Sequence, residues 1–197
     1  MVFPRMGLTV STAELDEPVS VTVMKNFLRV DISADDTEIA AMITAARQKA
    51  ENYCNSTFIT TVWDMDLDEF PSGSCLLIPR PPLQSITSIT YYDTDDSQQT
   101  WSSANYQVDA KRRPGRVMPV STATWPSTFD RLNAVTIKYV AGYGDSDTDV
   151  PPAIASAIKL MVDDMYNNRE GQIIGGNVTE NKTVKALLDR YKVPQVG

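Results

Sequence analysis

"AVTIKYVAGYGDSDTDVPPAIASAIKLMVDDMYNN", Ala134 to Asn168, changes its hydrophobic period midway, and that change decides the fold class. From Ala134 to Val140 the apolar Val135, Ile137 and Tyr139 alternate with Thr136 and Lys138, the two-residue period of a strand with one wet face. Gly142 and Gly144 then loosen the chain, and Pro151 and Pro152 open a segment where Ile154, Ile158, Met161, Val162 and Met165 recur at helical spacing. Proline is tolerated there because the N–H groups of a helix's first turn have no intrahelical partner. A strand and a helix therefore meet at a glycine-rich seam.

Working towards the N-terminus, a mirror-image change is found. Pro18 and Ser20 precede a short helical pattern through Val21, Met24, Phe27 and Leu28. Ser33, three residues before Asp36, makes an approximate capping box for a long helix over Thr37–Cys54. Its stripe is Ile39, Met42, Ile43, Ala46, Ala50 and Tyr53, which assigns Arg47, Gln48, Lys49 and Glu51 to solvent. After Phe58 the period becomes two, with Trp63, Met65 and Leu67 alternating with Asp64, Asp66 and Asp68. Further strands are predicted over Cys75–Ile78, Ile86–Tyr92, Tyr106–Asp109, Arg116–Met118 and Ala134–Val140. No helix-length segment separates them, so the pattern favours an antiparallel sheet or sandwich over βαβ units.

The fold class is thus α+β: a helical core from both ends of the chain with an inserted antiparallel β sheet or sandwich. The expected organisation is an N-terminal arm (1–17), a first helical part (18–57), a β insertion (58–143) and a second helical part (144–197). Gly171 is the expected stop of the helix that Pro152 opens, and a last helical piece covers Thr183–Val193. In IPRPPL, Ile78 to Leu83, the prolines are expected to extend the backbone and aim the inserted module.

Composition excludes several kinds of chemistry. The chain has 197 residues, 42% apolar and 22% charged, enough for a sizeable core and far from the disordered class. It contains no histidine, which removes the commonest general base and metal ligand and the Ser-His and Cys-His pairs. Cys54 and Cys75 give no disulfide framework and no thiolate cluster. The net charge of −7 argues against a protein that grips DNA phosphates over a wide basic face. The longest apolar runs are far short of the ~20 residues a membrane helix requires, and MVFPRMGLTV has no secretory h-region, so cytosolic synthesis is expected.

Apparent motifs dissolve on inspection. Asp64, Asp66, Asp68 and Asp145, Asp147, Asp149 have the spacing of a calcium loop's opening, yet Glu69 and Val150 stand where such a loop has glycine, and Cys75 and Ser156 where it has Glu. Gly171, Gly175 and Gly176 lack the GK[ST] of a phosphate loop. The sequons at Asn55, Asn177 and Asn181 are read as chance. One basic knot stands out, Lys111, Arg112, Arg113 and Arg116 around Pro114–Gly115; together with Arg80 it is a candidate subunit or partner contact, because Arg forks onto carboxylates. No catalytic, metal or cofactor-binding residue can be named, and no cofactor is expected.

Taken in order, PVSVTVMKNFLRVD, LLIPRPPLQSITSITYYD, YQVDAKRRPGRV, AVTIKYVAGYGD, VPPAIASAIKLMVDDMYNNRE and KALLDRYKV resemble the head–tail connector, or adaptor, proteins of tailed bacteriophages, over about Pro18 to Val193. The resemblance implies a structural virion protein of the neck, assembled in the bacterial cytoplasm, that forms a ring, in most cases a 12-mer, beneath the portal. It implies as partners other copies of the chain, the portal protein and a stopper or other neck or tail protein. Double-stranded DNA would pass through the channel without sequence-specific binding, and no membrane is involved. Thr183–Gly197 would then contact the portal, with Leu187, Leu188, Tyr191 and Val193 as apolar anchors. The alternatives are an intracellular acidic α+β binding module with a ligand surface on its β insertion, and a carboxylate-dependent hydrolase.

Overall fold

The computed structural model describes residues 6–13, 16–168 and 182–194. Gly171, Gly175, Gly176, Asn177 and Asn181 lie outside them, as do 1–5 and 14–15 of the expected arm and 195–197 of the terminal segment. The chain divides into two compact units, a β unit of 1–14, 60–143 and 193–197, and a helical unit of 15–59 and 144–192. The described residues form an α+β fold of helices and antiparallel sheets.

In the β unit, β1 (Met6–Ala13), β2 (Thr61–Leu67), β8 (Val135–Ala141), β4 (Leu83–Tyr92) and β5 (Gln98–Thr100) make one antiparallel sheet in that spatial order. A second sheet holds β3 (Leu76–Ile78), β7 (Gly115–Pro119) and β6 (Tyr106–Asp109). The alternation of β8 is realised in full: Val135, Ile137 and Tyr139 are buried and sit opposite Leu67, Met65 and Trp63 of β2. They share one apolar core with Leu76, Ile78 and Val117 of the smaller sheet, so the insertion is two sheets closed on each other. The Tyr139 hydroxyl donates to the Pro79 carbonyl at 3.2 Å, which satisfies the one polar atom that this ring takes inside. Burial pushes its ionisation up, against a smaller opposing effect of Arg80.

Two features of this unit differ from the sequence expectation. Residues 6–13, assigned to an arm, form the edge strand β1, because an eight-residue run without charge or proline finds a partner in β2. The proline stretch does not mount the insertion; it lies inside the β unit and turns the chain from β3 in one sheet to β4 in the other. Arg80 adopts φ 57 and the Pro81–Pro82 peptide is cis. The extended form expected before Ile86 holds from Leu83 on, whereas Arg80 is left-handed. Gly115 is explained by proximity: a Cβ there would lie 2.7 Å from Leu83 Cβ.

The helical unit consists of α1 (Val21–Leu28), α2 (Asp36–Cys54), α3 (Pro152–Asn167) and α4 (Lys182–Asp189). Ile39, Ile43, Ala46, Ala50 and Cys54 of α2 pack against Ile154, Ala157, Ile158, Met161 and Val162 of α3. Each fully buried Ile side chain contributes on the order of 1.5–3 kcal/mol. Leu188 closes the unit through α4. Ser20 caps α1 by accepting from the Val23 N–H at 3.3 Å.

The capping box expected at Ser33 does not form. The N-cap of α2 is Asp35, whose carboxylate makes no cap bond and instead accepts from the Tyr166 hydroxyl of α3 at 2.6 Å. Arg47 and Glu51 are likewise not on a wet face. Arg47 Nε donates to Glu17 Oε2 at 2.7 Å and one of its terminal nitrogens to Glu51 Oε2 at 2.9 Å, while Glu17 Oε1 accepts from Thr44 at 2.7 Å. Burial alone would lower the Arg47 pKa, but the two carboxylates outweigh it and hold it above the ordinary value.

Candidate functional site

A reaction centre would require polar groups that converge with perturbed ionisation. The helical unit has an open groove of 540 Å³ lined by Asp16, Glu17, Ser20, Thr44 and Asp147 among others. Of these, Glu17 is already committed to Arg47 and Thr44. Cys54 is buried, and desolvation, with Asp189 nearby, pushes its thiol up to about 11 against the opposing effect of Lys192; a thiol in that state is no nucleophile near neutral pH. Among the described residues no three His, Cys, Asp or Glu side chains come together as a metal site requires. The two aspartate triplets are used otherwise: Asp66 accepts from Thr136 at 2.7 Å, Asp64 pairs with Lys138 at 3.6 Å, and Asp149 accepts from the Ser146 N–H at 3.1 Å.

What the molecule offers instead is surface. In the basic knot, Lys111, Arg112 and Arg113 are exposed. Arg113 lies over the Tyr143 ring, 4.9 Å from its centroid, and donates to its hydroxyl at 3.0 Å. Arg116 is tied to Asp109 at 3.0 Å, which holds that carboxyl below its usual value although desolvation opposes the shift. The knot therefore divides into an outward pair, Lys111 and Arg112, and two arginines with partners inside the β unit. Arg80 is half-buried over the Trp63 ring at 5.5 Å.

The four proposed anchors also divide. Leu188 is 2% and Val193 7% exposed, and the Leu188 carbonyl accepts from the Cys54 thiol at 3.7 Å. Leu187 and Tyr191 are half-buried. Beside them, Tyr53 donates to Asp189 and Lys192 lies over the Tyr53 ring at 4.7 Å, which fastens α4 to α2.

Sequence reasoning missed the exposed apolar side chains. Val23, Phe27 and Ile32 stand out on and just after α1, Leu132 is 77% exposed beside the partly exposed Phe129, and Val10 projects from β1. The available signal was the i, i+4 pair Val23 and Phe27, which lies off the side of α1 that buries Met24. No helix among the described residues is long and apolar enough to cross a membrane.

Among the described residues, exposed apolar side chains, sheet edges without a strand partner and outward cations are what the surface offers to another molecule. The family model for head completion protein matches residues 17–192, and the chain belongs to that family. This agrees with the connector resemblance carried by the order of its motifs. Among solved structures, a chain from the neck of the empty GTA particle, computed with C6 symmetry, shares 20% identity with a TM-score of 0.80, covering 96% of this chain and 97% of that one. A chain of the virion of the native gene transfer agent (GTA) particle matches at 20% identity and TM-score 0.80, with 96% of each covered. One from the neck of the native GTA particle, computed with C12 symmetry, matches at 21% and 0.77, covering 96% and 97%. At these identities the likeness shows a shared fold. No curated protein matches the chain.

Proposed function

We propose that the chain is a structural protein of the neck of a tailed, phage-type virion, an adaptor that assembles as a ring beneath the portal and extends the DNA channel towards the next neck or tail component. The observation that carries this reading is the family match over residues 17–192, supported by a fold shared nearly end to end with chains of particle necks. The C12 and C6 symmetries of those necks support a ring of twelve copies. A closed ring needs two unlike, complementary faces on each subunit. The exposed sides of α2 and α3, together with Val23, Phe27 and Ile32, are suited to that task.

An excess of acid over base, −7 for the whole chain, discourages phosphate from adhering while DNA slides past. No chemical step is required of such a part, so the reading assigns no catalysis. The portal contact falls to the C-terminal segment, with Leu187 and Tyr191 as its accessible apolar side chains, while Leu188 and Val193 are buried. Within the basic knot, Lys111 and Arg112 are exposed and suited to meet an acidic neighbour.

Electron microscopy of the purified chain, alone and mixed with portal, tests the reading. Rings seated on the portal are expected. A mixture in which the portal stays bare and the chain stays monomeric would sink it.

A further inference from the structure

Sheet edges are hazards that proteins ordinarily blunt with charge, proline or irregularity. The smaller sheet obeys that practice: β3 is three residues long and runs into Pro79, and β6 ends in the Asp109–Arg116 ion pair. The five-stranded sheet does not. Its edge β1, MGLTVSTA, contains no charge and no proline, and its only irregularity is a register shift between Val10 and Thr12. Gly7, Thr9, Val10, Ser11 and Thr12 are exposed, and among the described residues the backbone of this strand pairs only with β2. The opposite edge, β5, is fully exposed and lies in a charge-free run, 97–108.

We infer that these two edges are one interface: β1 of one subunit pairs with β5 of the next, so that the five-stranded sheet continues from copy to copy. This rests on the ring reading above. The occupant is a second copy because the two open, uncharged edges are unlike and lie at opposite ends of one sheet, the arrangement a head-to-tail contact needs. In a chain of net charge −7, neutral stretches are also where copies meet without repulsion. Direction follows from topology. Four successive antiparallel pairings give β1 and β5 the same sense, so a neighbour related by rotation about the ring axis adds as a parallel strand. An isologous β1–β1 contact would be antiparallel instead. With β5 only three residues long, and parallel ladders weaker per residue, the edge sets register while other surfaces supply most of the cohesion.

The test places Val10→Cys and Thr100→Cys in one full-length chain carrying Cys75→Ser, and treats it with a flexible bismaleimide, free and on the portal. The double variant should give a ladder of covalent multimers, and either single variant none. Val10→Lys, with an unchanged circular dichroism spectrum, should lower the assembled fraction about tenfold. Dimers from Val10→Cys alone would overturn the proposal in favour of an isologous edge. Rings in the microscope without cross-links would overturn it and leave the adaptor reading intact, whereas neither rings nor cross-links would end both.

Discussion

The two units of the chain hold themselves together by different means. In the β unit, strands distant in sequence are neighbours, and the aromatic rings Phe70, Trp101, Tyr106 and Trp125 lock loops over the sheet, with Phe70 and Trp125 stacked at 5.1 Å and the Trp125 indole donating to the Gly73 carbonyl at 2.9 Å. In the helical unit, apolar stripes legible within single helices face one another, and half-buried polar ties, Arg47 to Glu17 and Glu51 and Tyr166 to Asp35, supplement them. The first depends on register, the second on faces. A shift of one residue in β8 would turn its buried set outward, while a helix tolerates small rotations.

The contrast can be broken most forcefully in the two cores. Phe58→Ala in the helical unit should cost about 3–5 kcal/mol and Ile137→Ala in the β unit about 2–5 kcal/mol, read from urea denaturation, since both side chains are fully buried. A loss below about 1 kcal/mol at either would show that its burial is wrong.

Next come the features special to each unit. Gly115→Ala must push Leu83 away and should cost about 1–3 kcal/mol, because the obstructing atom is a Cβ tied to backbone. Arg47→Ala strands two half-buried carboxylates and should cost on the order of 1–3 kcal/mol, while Arg112→Glu on the exposed knot should stay within about 0.5 kcal/mol. Equal losses at positions 47 and 112 would contradict the network.

The smallest expected effect concerns Cys54. Its folded pKa, about 11, lies above the ordinary thiol value of 9.0, so the folded chain keeps a proton that the unfolded chain releases, and stability falls as pH rises from about 9 towards 11. Cys54→Ala should flatten that slope, and thiol titration of the native chain near pH 8 should find Cys75 reacting first. Two equally fast thiols would refute the buried placement.

Much of this architecture could be read from residues alone because its signals are local. The alternation of Ala134–Val140 and the stripes of α2 and α3 require only neighbours along the chain, and Tyr106–Asp109 is a strand with the bounds expected for it. β5 escaped notice because Gln98–Thr100 has no apolar member, whereas β1 does alternate, Met6, Leu8 and Val10 against Gly7, Thr9 and Ser11, a signal that the assignment of 1–17 to an arm overlooks. Among candidate contacts, the exposure of Lys111 and Arg112 was legible as charge next to a turn. The inward turn of Leu188 and Val193 was not, since an amphipathic stripe does not say whether its own chain or another covers it.

The sequence by itself therefore determined the helices, most of the strands and their order, the absence of histidine and the membership of the head completion protein family, all of which follow from residue identity and short-range period. Only the tertiary structure decided which ends of a sheet remain open, which arginines already have partners and which apolar residues are left to meet another molecule. Those are long-range outcomes: a backbone edge or a side chain is free only after every competing contact within the chain has been made.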